Sequence, residues 1–288
     1  MRWPPEHPVL HDSALSPFIG AASVLCADGH LGDVLRHVPG RRMALAVDTP
    51  AGPGVLKIYA TPRARGNHRR LTMLDATSAR GHVPQSWGCD PTGHVGLVSW
   101  QPGDTLHDLP DGPWAHACGS AGGALASLHA SGAQFDRTWS AMDELAQLRR
   151  STAGPERQLV ARADAVCGRL ADAPTVSAHR DFHPKQVVVT DDDAALIDLD
   201  DAASAPAALD VGNFLAHLSQ EALIGRRPSA AVAVARDGFL DAYGEVDGDV
   251  DAWEWLALVR LAGLALTRHG RMDWCRALCS HATQEVPV

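Results

Sequence analysis

At 288 residues the chain is long for one domain and comfortable for two, so it can bury a sizeable core. A net charge of −9 with no basic block argues against nucleic acid as the main partner. No apolar run approaches the roughly 18 residues of a membrane span, so no membrane partner is expected. Six scattered cysteines without a C-x-x-C pair signal neither a disulfide framework nor a zinc site. The first residues lack the apolar core of a signal peptide, and together these features set the expectation of a cytoplasmic protein.

Residues 1–35 are broken by Gly and Pro and read as short helical or irregular pieces. Residues 43–47 and 55–59 read as two strands around a turn-rich 48–54, an antiparallel hairpin. Lys57 sits mid-strand among apolar neighbours, where an ammonium needs an anion; the alternative is a lysine on the open face of an edge strand. A helix is predicted over 63–76, with Leu71 and Leu74 inward. A strand over 94–100 is stopped by Gln101-Pro102-Gly103-Asp104, which places a domain boundary there: 1–101 and 102–288. Beyond it helices are predicted over 113–130, 141–149 and 155–171. In the last of these Leu159, Ala163, Val166 and Leu170 form one stripe. Further helices follow over 209–223, 229–243, 250–268 and 271–279, with an acidic loop at 245–251. Cys275 and Cys279 share a helix face and read as packing residues.

Between these helical stretches lies His179-Arg180-Asp181-Phe182-His183-Pro184-Lys185-Gln186, an apolar run, an Asp-rich turn and Ile197-Asp198-Leu199-Asp200. A hairpin here brings Asp181, Gln186 and Asp198 to one end. In an extended segment His179, Asp181 and His183 share a face, which suits a metal-dependent hydrolase. That chemistry requires further ligands and leaves Gln186 and Lys57 without a role. Phosphoryl transfer employs all four parts: an acid for the acceptor proton, an amide and a carboxylate for Mg²⁺, and a lysine for phosphate. Of 25 basic residues only Lys57 and Lys185 are lysines, so a compact point charge is expected to matter at both.

The pattern H-x-D-x-x-x-x-Q at His179, Asp181 and Gln186, then Ile197-Asp198 and Ala208-Leu209-Asp210-Val211, resembles the aminoglycoside phosphotransferase and choline kinase family. Leu125-Ala126-Ser127-Leu128-His129 is similar to the helix ending that precedes that family's catalytic half. The resemblance implies an α+β, two-lobed protein-kinase-like fold with a small antiparallel β-rich N-lobe and a larger, mainly helical C-lobe. It implies Asp181 as catalytic base, Mg²⁺ on Gln186 and Asp198, and ATP (or GTP) phosphates on Lys57. Adenine would lie along a hinge strand at Val98 and Trp100. His183, Lys185 and Asp200 are left for substrate or phosphate contacts, and His179 and Asp210 for supporting the loop.

The chain departs from the family pattern in three places. Gln186 replaces the usual Asn. The helix at 63–76 lacks a Glu partner for Lys57, with Asn67 near that position, which leaves Asp75 or the nucleotide alone. No Gly-rich loop is recognisable. The short segment after Asp198 leaves no room for an activation loop or peptide platform, so the acceptor implied is a small hydroxylated molecule: an aminoglycoside-like antibiotic, a sugar or an amino alcohol. Antibiotic resistance is the corresponding physiological expectation, and a monomer or homodimer the expected assembly. Glu245, Asp247, Asp249, Asp251 and Glu254 would attract a polycation and Trp253 and Trp255 would line its pocket; a solvated loop and core packing are the alternatives. A catalytically silent nucleotide-binding relative is the remaining rival.

Overall fold

Alternating burial organises the first half of the molecule. In the computed structural model, which describes residues 3–151, 154–170, 174–190 and 193–287, the chain divides into two units: 1–102 with 197–200, and 103–196 with 201–288. Ala171 of the helix predicted over 155–171 and Asp191 and Asp192 of the Asp-rich turn lie outside the described residues.

The first unit opens with two short 3-10 turns and α1 (Ile19–Leu25). Next come β1 (His30–Val38), β2 (Arg42–Thr49), β3 (Gly52–Tyr59), α2 (Ala64–Leu74), β4 (Ser86–Cys89) and β5 (Val95–Ser99). The five strands form one antiparallel sheet in the order β1-β2-β3-β5-β4. Met43, Leu45 and Val47 of β2 and Leu56 and Ile58 of β3 share a face and are buried with Val95, Leu97, Val9, Leu15 and Ala22. The two-residue period then sends Lys57 and Tyr59 to the other face, opposite Ala44 and Arg42. The predicted hairpin is present but longer, with only Pro50 and Ala51 between the paired ends. Residues 30–35, expected to be helical or irregular, belong to β1. That strand is exposed along most of its length and twice shifts register, so it carries no apolar alternation.

The second unit contains β6 (Asp104–Thr105), α3 (Asp111–His129), α4 (Ala141–Ser151), α5 (Arg157–Arg169) and β7 (Thr175–Ala178). It continues with β8 (Val187–Val189), β9 (Ala194–Leu196), β10 (Ala203–Pro206), α6 (Ala207–Leu223), α7 (Ser229–Tyr243), α8 (Val250–Thr267) and α9 (Met272–Gln284). Two small antiparallel sheets, β10-β7 and β6-β8-β9, carry the loop motif. In the second sheet Val187 pairs with Leu196; Gln186 precedes this pair by one residue and Asp198 follows it by two. Gly103, with φ 119°, allows β6 to approach β8: a Cβ there would stand 2.2 Å from the Val189 carbonyl oxygen. Helix α8 is apolar nearly all round because it is buried nearly all round. Its Trp253 and Trp255 pack with Leu145, Leu159, Val166 and Leu209, and the Trp255 indole donates to the Ala282 carbonyl at 2.7 Å. Both tryptophans are therefore core residues, and the pocket-lining alternative falls. Among the described residues no helix is long and apolar enough to cross a membrane.

Candidate active site

In the first unit the strand period aims Lys57 and Tyr59 at two carboxylates that lie more than a hundred residues later. The Lys57 Nζ donates to Asp198 Oδ1 at 2.7 Å and to Asp200 Oδ1 at 3.0 Å. Arg42 Nη1 lies 3.3 Å from Asp198 Oδ2 and 3.2 Å from Asp200 Oδ2, and the Tyr59 hydroxyl donates to Asp200 Oδ2 at 2.8 Å. The Asp200 side chain is 2% exposed, so its charge depends wholly on these donors. Helix α2 engages the same residue through its backbone: Arg70 Nη2 donates to the Asp200 carbonyl at 2.9 Å. Burial disfavours the ammonium of Lys57, but Asp200, Tyr59 and Asp198 outweigh it and hold the pKa well above the usual lysine range.

The anion that Lys57 requires is thus a carboxylate pair, Asp198 and Asp200, and not Asp75, the acid expected from the sequence. Asp75 instead accepts from Gln85 at 3.2 Å and lies 3.7 Å from Arg80. Asn67 is buried and lines a small cavity with Lys57, Tyr59 and Val98, and its Oδ1 meets no hydrogen-bond donor among the described residues. On β5, Val98 is buried. Trp100 follows the strand, 39% exposed, with its N–H donated to the Pro53 carbonyl at 3.0 Å.

In the second unit the loop 179–186 is not extended. Arg180 has φ 69°, in the left-handed region, and this turn removes His179 and His183 from a common face. The Asp210 carboxylate holds the turn by accepting the N–H groups of His179 at 2.6 Å and Arg180 at 2.7 Å. His129, the last residue of α3, places Nε2 3.1 Å from Asp210, and the Tyr243 hydroxyl lies 2.8 Å from its Nδ1. A carboxylate only accepts, so Nε2 carries the proton and Nδ1 accepts from Tyr243. Phe182 stacks on Phe214, and its carbonyl accepts from Asn213 at 2.7 Å. The Arg180 guanidinium lies over Trp139, 3.4 Å from its centroid.

This scaffold leaves Asp181 45% exposed, with Lys185 exposed and Gln186 half-buried at the start of β8. The His183 Nδ1 accepts the Lys185 N–H at 3.2 Å, which directs Nε2 toward Asp181 Oδ2 at 3.8 Å. Burial pushes the His183 pKa down to about 4, so the ring is neutral at pH 7 and bears its proton on Nε2. His217 packs against it at 4.7 Å and is likewise held well below the ordinary imidazole range by burial. His179, Asp181 and His183 do not form a metal-ligand group; among the described residues the one such group is Glu156, Cys275 and Cys279.

The model of the phosphotransferase enzyme family matches residues 41–259, from β2 into α8, a span that holds Lys57, the 179–186 loop, Asp198, Asp200 and Asp210. The chain belongs to this family. The phosphotransferase is similar in fold to an amicoumacin kinase solved with AMP-PNP and Ca²⁺, with TM-score 0.68 and 14% identity over 94% of each chain. It is also similar to a glucosamine kinase solved with glucosamine, ADP and phosphate: TM-score 0.59, 20% identity, 94% of this chain and 82% of that one. A choline kinase from Streptococcus pneumoniae gives TM-score 0.64 and 12% identity over 94% and 98%. No curated protein matches the sequence.

The fold is accordingly the two-lobed, protein-kinase-like α+β fold expected from the motif, and the enzyme is an ATP-dependent phosphotransferase acting on a hydroxyl of a small molecule. Sequence reasoning missed Arg42, Tyr59, Tyr243 and His217 in the phosphotransferase. Only Tyr59 had a readable signal, two residues from Lys57 and so on its face. The acidic-loop reading fails at Glu254, whose carboxylate is closed by Arg236 at 2.6 and 2.8 Å and by Ser219 at 2.8 Å. Asp249 is spent on capping α8 through the Ala252 N–H at 3.0 Å.

Proposed function

We propose that this phosphotransferase moves the γ-phosphate of ATP to a hydroxyl of a small polar acceptor, with Asp181 as base. The observation that carries the reading is the pairing of Lys57 and Arg42 with Asp198 and Asp200, a preorganised set of charges for a triphosphate and its cation. Asp198 and Gln186 offer a carboxylate and an amide oxygen, a donor set that suits Mg²⁺. Mg²⁺ bound there would neutralise charge on the phosphates. Lys57 takes the α- and β-phosphates while Asp200 keeps its ammonium in place. Adenine lies against the segment from Val98 to Trp100, whose Ser99 and Trp100 N–H groups are themselves held by Gln85 and Pro53. Residues 1–101 serve as the nucleotide lobe and 102–288 as the catalytic and acceptor lobe.

Asp181 accepts the proton of the acceptor hydroxyl as the new O–P bond forms and the bond to the β-phosphate oxygen breaks. His183, neutral and with Nε2–H toward Asp181, orients that carboxylate without competing for the proton. Lys185 lies beside it as a cation for phosphate or acceptor. With Glu254 and both tryptophans withdrawn into the interior, a sugar or amino alcohol is favoured over a polycationic aminoglycoside. The reading places the enzyme in the cytoplasm, and it confers resistance where the acceptor is an antibiotic.

A panel of amino sugars, amino alcohols, nucleosides and antibiotics, followed by ADP release, tests this directly. Asp181→Ala should lower kcat by about 10²–10⁴ with ATP affinity within about twofold of wild type, because the base touches only the acceptor. Undiminished turnover in that variant sinks the assignment. ATP binding without turnover on any acceptor, as in a silent relative, would also overturn it.

A further inference from the structure

Beyond the phosphoryl-transfer residues, one cluster of ligating groups has no role in the reaction. Cys275 and Cys279 lie one turn apart on α9, and Glu156 immediately precedes α5. One ligand atom from each lies within 4.8 Å of the other two, and Cys275 Sγ is 3.6 Å from Glu156 Oε2. Glu156 and Cys275 are fully buried. Cys279 is half-buried and opens onto a groove of about 340 Å³, lined also by Pro155, Gln158, Arg276 and Thr283. The carboxylate is held at one oxygen by the Gly154 N–H, which donates to Oε1 at 2.9 Å, and its Oε2 is the oxygen that meets the Cys275 thiol. Gly154 also makes room for this arrangement. A Cβ there would stand 2.6 Å from Oε2 and 2.5 Å from Leu266 Cδ2.

We propose that Glu156, Cys275 and Cys279 bind a thiophilic divalent cation of the zinc class, with a fourth position open to the groove. Two sulfurs and one oxygen with a vacant side suit a tetrahedral ion and disfavour Mg²⁺ or Ca²⁺. On binding, the two S–H bonds break and both protons leave to solvent, two metal–sulfur bonds form, and Oε2 supplies the third bond. Without the ion, the Cys275 thiol lies 3.6 Å from Glu156 Oε2, and the cation would take the place of its proton. The ion ties α9 to the start of α5. The pinned carboxylate is the arrangement expected of an oriented metal ligand, whereas two packing thiols alone would need no acid between them.

The test uses the full-length protein in a non-thiol reductant, titrated with Co²⁺ and then Zn²⁺ in competition with a chromophoric chelator. The expected result is one equivalent bound, a thiolate-to-cobalt charge-transfer band that Zn²⁺ abolishes, and a higher Tm with Zn²⁺. Cys279→Ser, at the half-buried and groove-facing position, should lose most of the band and weaken Zn²⁺ at least about tenfold while ADP release stays unchanged. Glu156→Gln should retain the band at lower affinity. A folded wild-type protein without a thiolate band overturns the proposal, as does a band undiminished in Cys279→Ser.

Discussion

The residue that most changes the reading of this site is Asp200. Protein kinases hold their phosphate-binding lysine with a glutamate from the adjacent helix; Lys57 is held instead by carboxylates, one of them two residues after Asp198, and α2 reaches that residue through Arg70. Asp200→Asn should cost about 3–5 kcal/mol of stability, as expected when one partner of a buried pair is removed, and should raise the KM for ATP. Adding Asn67→Glu, which returns a carboxylate to the cavity lined by Lys57, should recover part of both losses. Thermal melts and ATP titrations of the single and double variants decide it; an unchanged KM in Asp200→Asn would remove Asp200 from the nucleotide site. Lys57 and Asp198 were legible from the sequence as residue types in telling places. Their pairing was not, because periodicity says which residues share a face but not which distant segment meets it. Arg42 was hidden for the same reason, one more arginine in an arginine-rich chain.

At the level of elements, the helices were legible and the outer strands were not. The stripe of α5 and the run of α8 announce themselves because burial selects apolar residues at helical spacing. Strand β1 buries little, and β4 is interrupted by Gly88 at φ 145°, so neither leaves a pattern to read. Close helix packing also depends on positions that composition cannot rank. In α6 a Cβ at Gly212 would stand 2.5 Å from the Glu254 nitrogen, a backbone atom of α8 that cannot yield. In α3 a Cβ at Gly123 would meet nothing within 4 Å. Gly212→Ala should therefore destabilise the enzyme by roughly 1–3 kcal/mol. Gly123→Ala should stabilise it by about 0.5–1 kcal/mol through helix propensity. Chemical denaturation distinguishes the two, and equal effects of one sign would contradict the packing argument.

For the whole molecule the buried imidazoles set an acid limit. Burial opposes the charge of all three rings: it pushes His107 and His183 down to about 4 and holds His217 well below the ordinary imidazole range. The unfolded chain binds the His107 and His183 protons near pH 6.5 and the folded one only near 4, so stability is full above about 6.5 and drains away as pH falls between those values. A Tm profile should drop steeply from pH 6.5 to 4, and His107→Gln should make the drop shallower; a flat profile would mean that these rings are not held neutral. The other global feature is the support behind the catalytic loop. Tyr243 ends α7, His129 ends α3 and Asp210 lies in the first turn of α6, so the loop reports the register of three helices at once. One residue inserted into α3 would swing His129 through about 100° and unhook the loop, whereas the segments joining the helices are free to lengthen and change. On the role proposed for Asp181, acceptor range can in this way diversify across descendants through those joining segments, while the geometry of the loop that carries Asp181 is inherited intact.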